Sequence, residues 1–141
     1  MSWNNLGVVF AIVSLALLPA SWGDLRAGKT NRLAAGTWGG QHIRIEVGSG
    51  PAAIEYDCAN GTIAGPLILD RKGNFRWKGS HVREHGGPTR IEEEPRGEPA
   101  IYSGSVKGNT MTLMVTLANT NQVIGTFTLT RGSPGRVFKC R

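Results

Sequence analysis

Three histidines offer the chain its clearest opportunity for chemistry. His42, His81 and His85 would together supply three imidazoles, which is the ligand set of some catalytic zinc centres. The spacing of His81 and His85 suits a helix, whereas on a strand such positions lie about 13 Å apart along the chain. The alternating pattern around His81 indicates a strand, so the three rings would meet only if the chain bends at Glu84. We therefore interpret His81 as a hydrogen-bonded interior residue and predict no metal site.

Acid–base and nucleophilic sites have no clear signature in the sequence. Glu46, Glu55 and Asp57 alternate with apolar residues and are expected on an outer surface, and Glu92–Glu94 form a charged run in a loop. No Ser/His/Asp or Cys/His arrangement has a recognisable local pattern. We predict that the protein is not an enzyme and needs no cofactor, with a metal-dependent enzyme built on the histidines as an alternative.

The two cysteines, Cys58 and Cys140, are predicted to form a disulfide, because an even number of cysteines in an exported chain is typical of bridged pairs. Neither has a second cysteine nearby, which excludes zinc-finger and thioredoxin-type spacings. Closing a loop of about 80 residues is expected to stabilise the domain by roughly 4 kcal/mol.

The N-terminal segment predicts export. Residues 6–18 form an uncharged apolar run of about 13 residues, the length of a signal-peptide core, whereas a membrane-spanning helix needs about 20. Residues 1–23 are therefore predicted to be a signal peptide, which indicates a secreted or periplasmic protein with no membrane span after cleavage. Because residues 1–5 carry no Lys or Arg, an uncleaved anchor is the alternative. Residues 24–35 are interpreted as a polar tether.

Residues 36–141 are predicted to form one all-β domain, because the apolar residues recur with period two. The predicted strands are 38–47, 53–58, 62–69, 74–83, 100–106, 110–117, 122–130 and 136–140. Asn60-Gly61 and Gly108-Asn109 predict tight hairpins, and residues 84–99 form one long loop. This pattern favours a single eight-stranded antiparallel up-and-down barrel, with a two-sheet β-sandwich as the alternative. Successive strands of such a barrel run in alternating directions, so the position of a strand in the order tells at which end it finishes. This strand parity places both cysteines, the long loop and Trp38 at one end.

The interior of this barrel is the predicted ligand site. The aromatic side chains expected to point inward are Tyr56, Phe75, Trp77, His81, Tyr102 and Phe127. Gly79, Gly104 and Gly125 share their phase, and would either leave room for a ligand or accommodate the rings opposite. Both outcomes are possible because an eight-stranded barrel is just wide enough for its side chains to fill.

The net charge of +6 and its distribution suggest an anionic partner at one end of the barrel. The predicted anion-binding rim consists of Arg71, Lys72, Lys107 and Arg131, to which parity also adds Arg136. The opposite end carries Glu84, Glu92–Glu94 and Glu98. Nucleic acid is not an expected partner, because Trp77 is the only aromatic residue flanked by basic side chains and those point to the other face.

The tripeptide Gly36-Thr37-Trp38 at the start of the first strand resembles the calycin group of barrels, which includes lipocalins, avidins and bacterial metalloprotease inhibitors. The resemblance implies that Trp38 packs against a basic residue of the last strand, here Lys139 or Arg141. The long loop follows strand four, whereas lipocalins place it after strand one. Residues 37–43, 83–88 and 125–132 also resemble short secreted bacterial proteins of unknown function, and this resemblance does not indicate any particular activity.

These observations together predict a secreted or periplasmic, non-enzymatic and monomeric binding protein for a small apolar or anionic ligand. The main alternative is an inhibitor that binds an extracellular hydrolase through the 84–99 loop or the 24–35 tether.

Overall fold

The computed structural model describes residues 31–88 and 97–140, and all of its regular structure is β. The strands are β1 (Gly36–Gly40), β2 (Ile43–Val47), β3 (Ala52–Tyr56), β4 (Ala59–Ile63), β5 (Asn74–Arg83), β6 (Glu98–Lys107), β7 (Thr110–Leu117) and β8 (Val123–Arg131). Each strand pairs antiparallel with the next, and β8 pairs with β1. The predicted up-and-down barrel is confirmed, and the sandwich alternative was wrong.

Several sequence predictions concern parts of the chain outside the described residues. These are the signal peptide, residues 24–30 of the tether, residues 89–96 of the long loop, and Arg141. Among residues 31–88 and 97–140, none belongs to a helix that could span a membrane.

The strands form where apolar and polar residues alternate. In β7, Met111, Leu113 and Val115 are fully buried, while Thr110 and Thr112 between them are exposed. Side chains on a strand point alternately to its two faces, so this pattern places one face of every strand in a shared interior. The predicted bounds of β7 match the structure, and those of β5 do as well.

The predicted first strand, 38–47, was wrong because the chain reverses within it. Residues 41 and 42 form a two-residue turn between β1 and β2, in which His42 has a φ of 67°. The predicted last strand, 136–140, was also wrong, because it contributes only a parallel bridge between Arg136 and Gln41. The number of strands is eight, as predicted, but β1 and β2 replace one predicted strand and the last one is absent.

The predicted hairpin at Asn60-Gly61 was wrong as well. Both residues lie inside β4, and the turn comes earlier, at Asp57 and Cys58, where Cys58 has a φ of 55°. Gly61 is required there for close packing, since a Cβ atom on it would collide with the backbone carbonyl of Ser80 on β5 and would also lie 2.8 Å from the hydroxyl of Tyr102. The predicted strand 62–69 ends at Ile63 in the structure, before Pro66, which has no N–H to donate to a neighbouring strand.

The basic end of the barrel is where β4 connects to β5, where β6 connects to β7 and where β8 finishes. The four residues of the predicted rim lie here, namely Arg71, Lys72, Lys107 and Arg131. Their binding of anions stays a prediction. Arg136 was wrongly assigned to this end, because it bridges to Gln41 in the β1–β2 turn at the opposite end.

Residues 31–35, predicted as part of a free tether, are packed against the basic end. Leu33 is buried, and its backbone N–H donates to the carbonyl of Leu67 at 2.8 Å. The rings of Phe75 and Trp77 are stacked with centroids 3.8 Å apart, and the Trp77 indole donates to the carbonyl of Ile68. The interior is therefore filled by protein side chains toward this end.

Trp38 also lies toward the basic end, and its predicted cationic neighbour has to be corrected. Its Cα partner on the last strand is Arg131, whose guanidinium donates to the carbonyl of Ala35 at 3.4 Å. Lys139 lies at the other end and pairs with Glu84. The parity prediction failed for Trp38 because the predicted first strand is two strands, which reverses the end at which β1 begins.

Candidate ligand-binding site at the disulfide end

The disulfide end is formed by the β1–β2 and β3–β4 turns, the β5–β6 connection and the C-terminal segment 136–140. The predicted bridge between Cys58 and Cys140 is confirmed, with Cα atoms 4.8 Å apart. It holds the segment 136–140 against the β3–β4 turn. The structure therefore brings both cysteines and the start of the long loop to one end, as strand parity predicted.

A short hydrogen bond connects the two turns. Nδ1 of His42 lies 2.5 Å from Oδ2 of Asp57, whose other oxygen accepts a hydrogen bond from the backbone N–H of Phe138 at 2.7 Å. Asp57 was expected on an outer surface without a role. Its carboxylate instead joins β1–β2, β3–β4 and the C-terminal segment.

Two non-glycine residues in these turns have positive φ, a conformation that costs energy unless surrounding contacts stabilise it. The backbone N–H of His42 donates to the carbonyl of Arg136 at 2.7 Å, and that of Cys58 donates to the carbonyl of Phe138 at 3.2 Å. Both turns are therefore held by the C-terminal segment. This arrangement depends on contacts distant in sequence, which local turn patterns do not predict.

A cavity of about 480 Å³ lies at this end of the barrel. Tyr56, His81 and Phe127 line it, which are three of the six predicted interior rings. Its other walls include residues that the sequence analysis did not assign to a site: Asp57, Arg83, Gln122, Val123 and Ile124. Arg83 could have been found, because it continues the inward phase of His81 along β5.

The base of the cavity contains two buried polar atoms that have no hydrogen-bond partner among the described residues. They are the hydroxyl of Tyr56 and Nδ1 of His81, and each residue is only 3% exposed. Their rings pack edge to face with centroids 5.4 Å apart, and Phe127 lies 5.8 Å from Tyr56. The Tyr56 hydroxyl lies beside that of Tyr102, with which it can share a hydrogen bond. Because buried polar groups are nearly always hydrogen-bonded, Nδ1 of His81 points most clearly to a partner inside the cavity.

Both groups at the base are uncharged at neutral pH. Burial, with the nearby Tyr102 adding to it, raises the pKa of the Tyr56 phenol well above its usual range. Burial also lowers the pKa of His81, and the neighbouring Arg83 lowers it further, while Glu98 acts in the opposite direction. The base of the cavity therefore offers neutral hydrogen-bonding groups.

The rim of the cavity is charged. Oε1 of Glu84 accepts hydrogen bonds from the Asn60 amide at 2.9 Å and from the Lys139 ammonium at 3.0 Å, which lowers the pKa of Glu84. Arg83 also lines the rim, and none of the ion pairs between described residues includes it. The rim therefore holds the Glu84 carboxylate, whose charge is balanced by Lys139, and the Arg83 guanidinium, which forms no ion pair with a described carboxylate.

The other three predicted interior rings fill the barrel and do not line this cavity. Phe75 and Trp77 lie toward the basic end, and Tyr102 is completely buried, with its hydroxyl donating to the carbonyl of Ser80 at 2.7 Å. A Cβ atom on Gly79 or on Gly104 would collide first with a backbone carbonyl of the neighbouring strand, and would also lie 2.8 Å from the Tyr102 ring or 3.1 Å from Phe75, respectively. These inward glycines allow close strand packing and also accommodate large rings, the latter being one of the two possibilities that the sequence left open.

The three histidines all line this one cavity, although the sequence analysis did not expect them to share a site. Among the described residues, no group of three or more His, Cys, Asp or Glu side chains is arranged so that it could hold a metal ion. His42 is engaged by Asp57, and His81 is at the base.

The fold is therefore a closed eight-stranded antiparallel up-and-down barrel with a cavity at its disulfide end. No protein-family model, curated protein or solved structure matches the chain. The function therefore has to be argued from the site.

The shifted pKa of His81 predicts a specific loss of stability in mild acid. The unfolded chain, whose histidines have a pKa of about 6.5, takes up a proton before folded His81 does, so stability falls as the pH drops through that value. We expect the free energy of unfolding to decrease less between pH 8 and pH 5.5 in His81→Gln than in the unmodified protein. Guanidinium unfolding at several pH values measures this.

His85→Gln is the control, because it removes an exposed histidine and keeps the buried one, so the loss of stability caused by His81 should remain. Asp70 and Glu84 do not interfere in this range, since hydrogen bonds lower the pKa of both carboxyls. Identical pH dependence in His81→Gln and the unmodified protein would contradict the assignment of His81 as a buried neutral group.

Proposed function

We propose that this is a secreted or periplasmic, non-enzymatic binding protein that takes a small apolar or anionic ligand into the cavity at the disulfide end. The observation that carries the proposal is that two residues of the cavity lining, Tyr56 and His81, each hold a buried polar side-chain atom that makes no hydrogen bond of normal geometry with the described residues. Their desolvation is costly unless a partner binds there.

The contrast with the rest of the interior supports a ligand here. Elsewhere in the interior the buried ring donors have partners: the Trp38 indole donates to Ala34, the Trp77 indole donates to Ile68, and the Tyr102 hydroxyl donates to Ser80. The sequence therefore satisfies polar rings where side chains fill the barrel. Only at the cavity are the buried ring atoms left without partners in the described chain.

The size and lining of the cavity suit a small organic molecule. Its volume of about 480 Å³ lies in the usual range of ligand pockets, roughly 300–1,000 Å³. Ile124 and Phe127 supply apolar wall, and Val123, also in the lining, is 55% exposed. Such a surface gains free energy when an apolar ligand covers it.

Binding without chemistry is the simplest role for these residues. Cys58 is the cysteine of the cavity lining, and its sulfur is engaged in the bridge, so it cannot serve as a nucleophile. The bridge also supports an oxidising compartment, which agrees with the predicted signal peptide. The barrel and its Gly36-Thr37-Trp38 start support membership of the calycin-like group as part of this proposal.

The inhibitor alternative has less support. Its proposed contacts are largely residues 24–30 and 89–96, which lie outside the described part of the chain, and residues 31–35 pack against the barrel.

Thermal unfolding with a panel of small aromatic and aliphatic compounds, both neutral and acidic, tests the proposal. We expect at least one class to raise the melting temperature, because a ligand that binds only the folded state stabilises it. Val123→Trp should abolish this shift by filling the cavity. Met114→Trp is the matched control, since Met114 is 41% exposed and lies outside the cavity lining. The proposal fails if no compound stabilises the protein, or if Val123→Trp responds like Met114→Trp.

A further inference from the structure

The geometry of the cavity points to a specific ligand class, an inference that rests on the proposed function. We infer that the ligand is a small aromatic acid with a hydroxyl or carbonyl group opposite its carboxylate. Arg83 binds the carboxylate at the rim, Ile124 and Phe127 contact the ring, and the neutral group hydrogen-bonds Tyr56 and His81 at the base.

Arg83 is placed to receive a negative group. It lies two residues after His81 on β5 and therefore on the same face, about 7 Å nearer the end of the strand. The neighbouring carboxylate of Glu84 is already engaged by Asn60 and Lys139. Glu98, the Cα partner of His81, makes no ion pair with Arg83 in the described structure. A guanidinium in this position can bind a carboxylate through two parallel hydrogen bonds.

The other basic residues near this end are less available. The guanidinium of Arg44 pairs with Glu55 on the outer surface, and the ammonium of Lys139 pairs with both Glu84 and Glu55. Neither residue lines the cavity. Among the described cations, Arg83 is therefore the one at the cavity that carries no carboxylate partner.

The base of the cavity selects against a charged group. The Tyr56 hydroxyl can donate a hydrogen bond, and neutral His81 can donate or accept at Nδ1, according to its tautomer. A carboxylate or ammonium buried there would lose its hydration, whereas a carboxylate beside the exposed Arg83 at the rim keeps part of its hydration. A hydroxyl or carbonyl matches both protein groups without that cost.

The spacing of His81 and Arg83 along β5 gives the length that we expect of the ligand. About 7 Å along β5 separates the positions of His81 and Arg83, which corresponds to one benzene ring with a substituent at each end. Phe127, tilted at 44° to Tyr56, and the aliphatic side chain of Ile124 form the wall between them. Aromatic rings pack favourably in such tilted arrangements, so a flat ring fits better than a flexible chain.

Isothermal titration calorimetry with three probes tests the inference. The probes are 4-hydroxybenzoate, benzoate, which lacks the hydroxyl, and 4-hydroxybenzyl alcohol, which lacks the acid. We expect the unmodified protein to bind 4-hydroxybenzoate at least tenfold more tightly than either of the others. A missing partner leaves a buried or charged protein group unpaired, which is why one group has so large an effect.

Two variants assign the two subsites separately. Arg83→Gln should remove the preference for the acid over the alcohol and keep the preference for 4-hydroxybenzoate over benzoate. Tyr56→Phe should do the reverse. Arg76→Gln is the matched control, because Arg76 is an exposed arginine on the same strand that lies outside the cavity lining, and it should leave all three affinities unchanged.

The outcomes separate this inference from the proposed function. If the acid and the alcohol bind equally, or if Arg83→Gln keeps the preference for the acid, the inference is overturned and the binding function stands. If other small molecules stabilise the protein and these three do not bind, the inference is again overturned. If nothing binds in either experiment, the proposed function itself has failed. If Tyr56→Phe does not fold, Arg83→Gln still tests the inference, because Arg83 is exposed and its replacement should not disturb folding.

Discussion

Replacing Cys58 and Cys140 together by serine is expected to lower the free energy of unfolding by about 4 kcal/mol. The two residues are 82 positions apart in sequence, so the bridge removes much of the freedom of the unfolded chain. It also holds the C-terminal segment, whose carbonyls bind the backbone N–H groups of His42 and Cys58. Equilibrium unfolding in guanidinium, with the double variant and the unmodified protein side by side, measures the loss.

The same variant should weaken ligand binding, because Cys58 lines the cavity and Asp57 beside it accepts a hydrogen bond from the C-terminal segment. The unmodified protein with its bridge reduced is the control and should behave like the double variant. A loss of stability below about 1 kcal/mol would mean that the bridge does not restrict the unfolded chain as the loop-entropy model requires.

Replacing Trp38 by alanine is expected to cost about 3–5 kcal/mol, the range for truncating a large buried ring. Trp38 is 1% exposed, belongs to the main hydrophobic core, and donates from its indole to the carbonyl of Ala34 at 3.0 Å. Its removal leaves a hole beneath the residues that close the basic end. Guanidinium unfolding measures the effect, and Trp38→Phe, which keeps most of the ring, should lose clearly less.

Trp38→Ala also separates the two ends of the barrel. Because Trp38 does not line the cavity, the folded variant should bind ligand with an affinity close to that of the unmodified protein. A folded variant that has lost binding would show that the two ends are coupled. A stability cost below about 1 kcal/mol would show that Trp38 in the Gly36-Thr37-Trp38 start of β1 has no structural role here.

Much of the fold was predictable because it depends on a pattern with one physical cause. The alternation in β5 and β7 reflects the opposite directions of successive side chains, and it gave the bounds of both strands. The even number of cysteines gave the bridge. Neither prediction needed knowledge of distant contacts.

The errors came from positions where distant contacts outweigh local preference. His42 and Cys58 have positive φ because the C-terminal segment binds their N–H groups, and nothing next to them in sequence indicates this. Asn60-Gly61 is a common turn sequence, yet Gly61 is needed where the Tyr102 hydroxyl approaches β4. Local turn preferences were misleading at these positions.

The candidate site was half predictable for the same reasons. Tyr56, His81 and Phe127 were placed inside the barrel by their phase. The alternation of apolar residues does not tell which inward rings line the cavity and which fill the basic end. Phe75 and Trp77 fill the basic end because residues 31–35 and 64–69 pack there, and a period-two pattern does not predict that packing. Asp57 was assigned to the outer surface because the turn that redirects it was not recognised.

The sequence predicts an anion-binding rim at the basic end, whereas the proposed ligand site lies at the opposite end of the barrel. Arg71, Lys72, Lys107 and Arg131 lie at the basic end, as predicted, and remain an alternative location for an anion. The cavity with Arg83 lies at the disulfide end. A single acidic probe can therefore distinguish the two.

Titration of isotope-labelled protein with 4-hydroxybenzoate, followed by two-dimensional NMR of the backbone amides, makes this distinction directly. Our account predicts that the amides of 56–59, 81–85 and 122–127 shift and saturate together, while those of 71–72, 107 and 131 stay in place. Shifts confined to the basic end would contradict it and would locate the binding surface among the rim arginines and lysines.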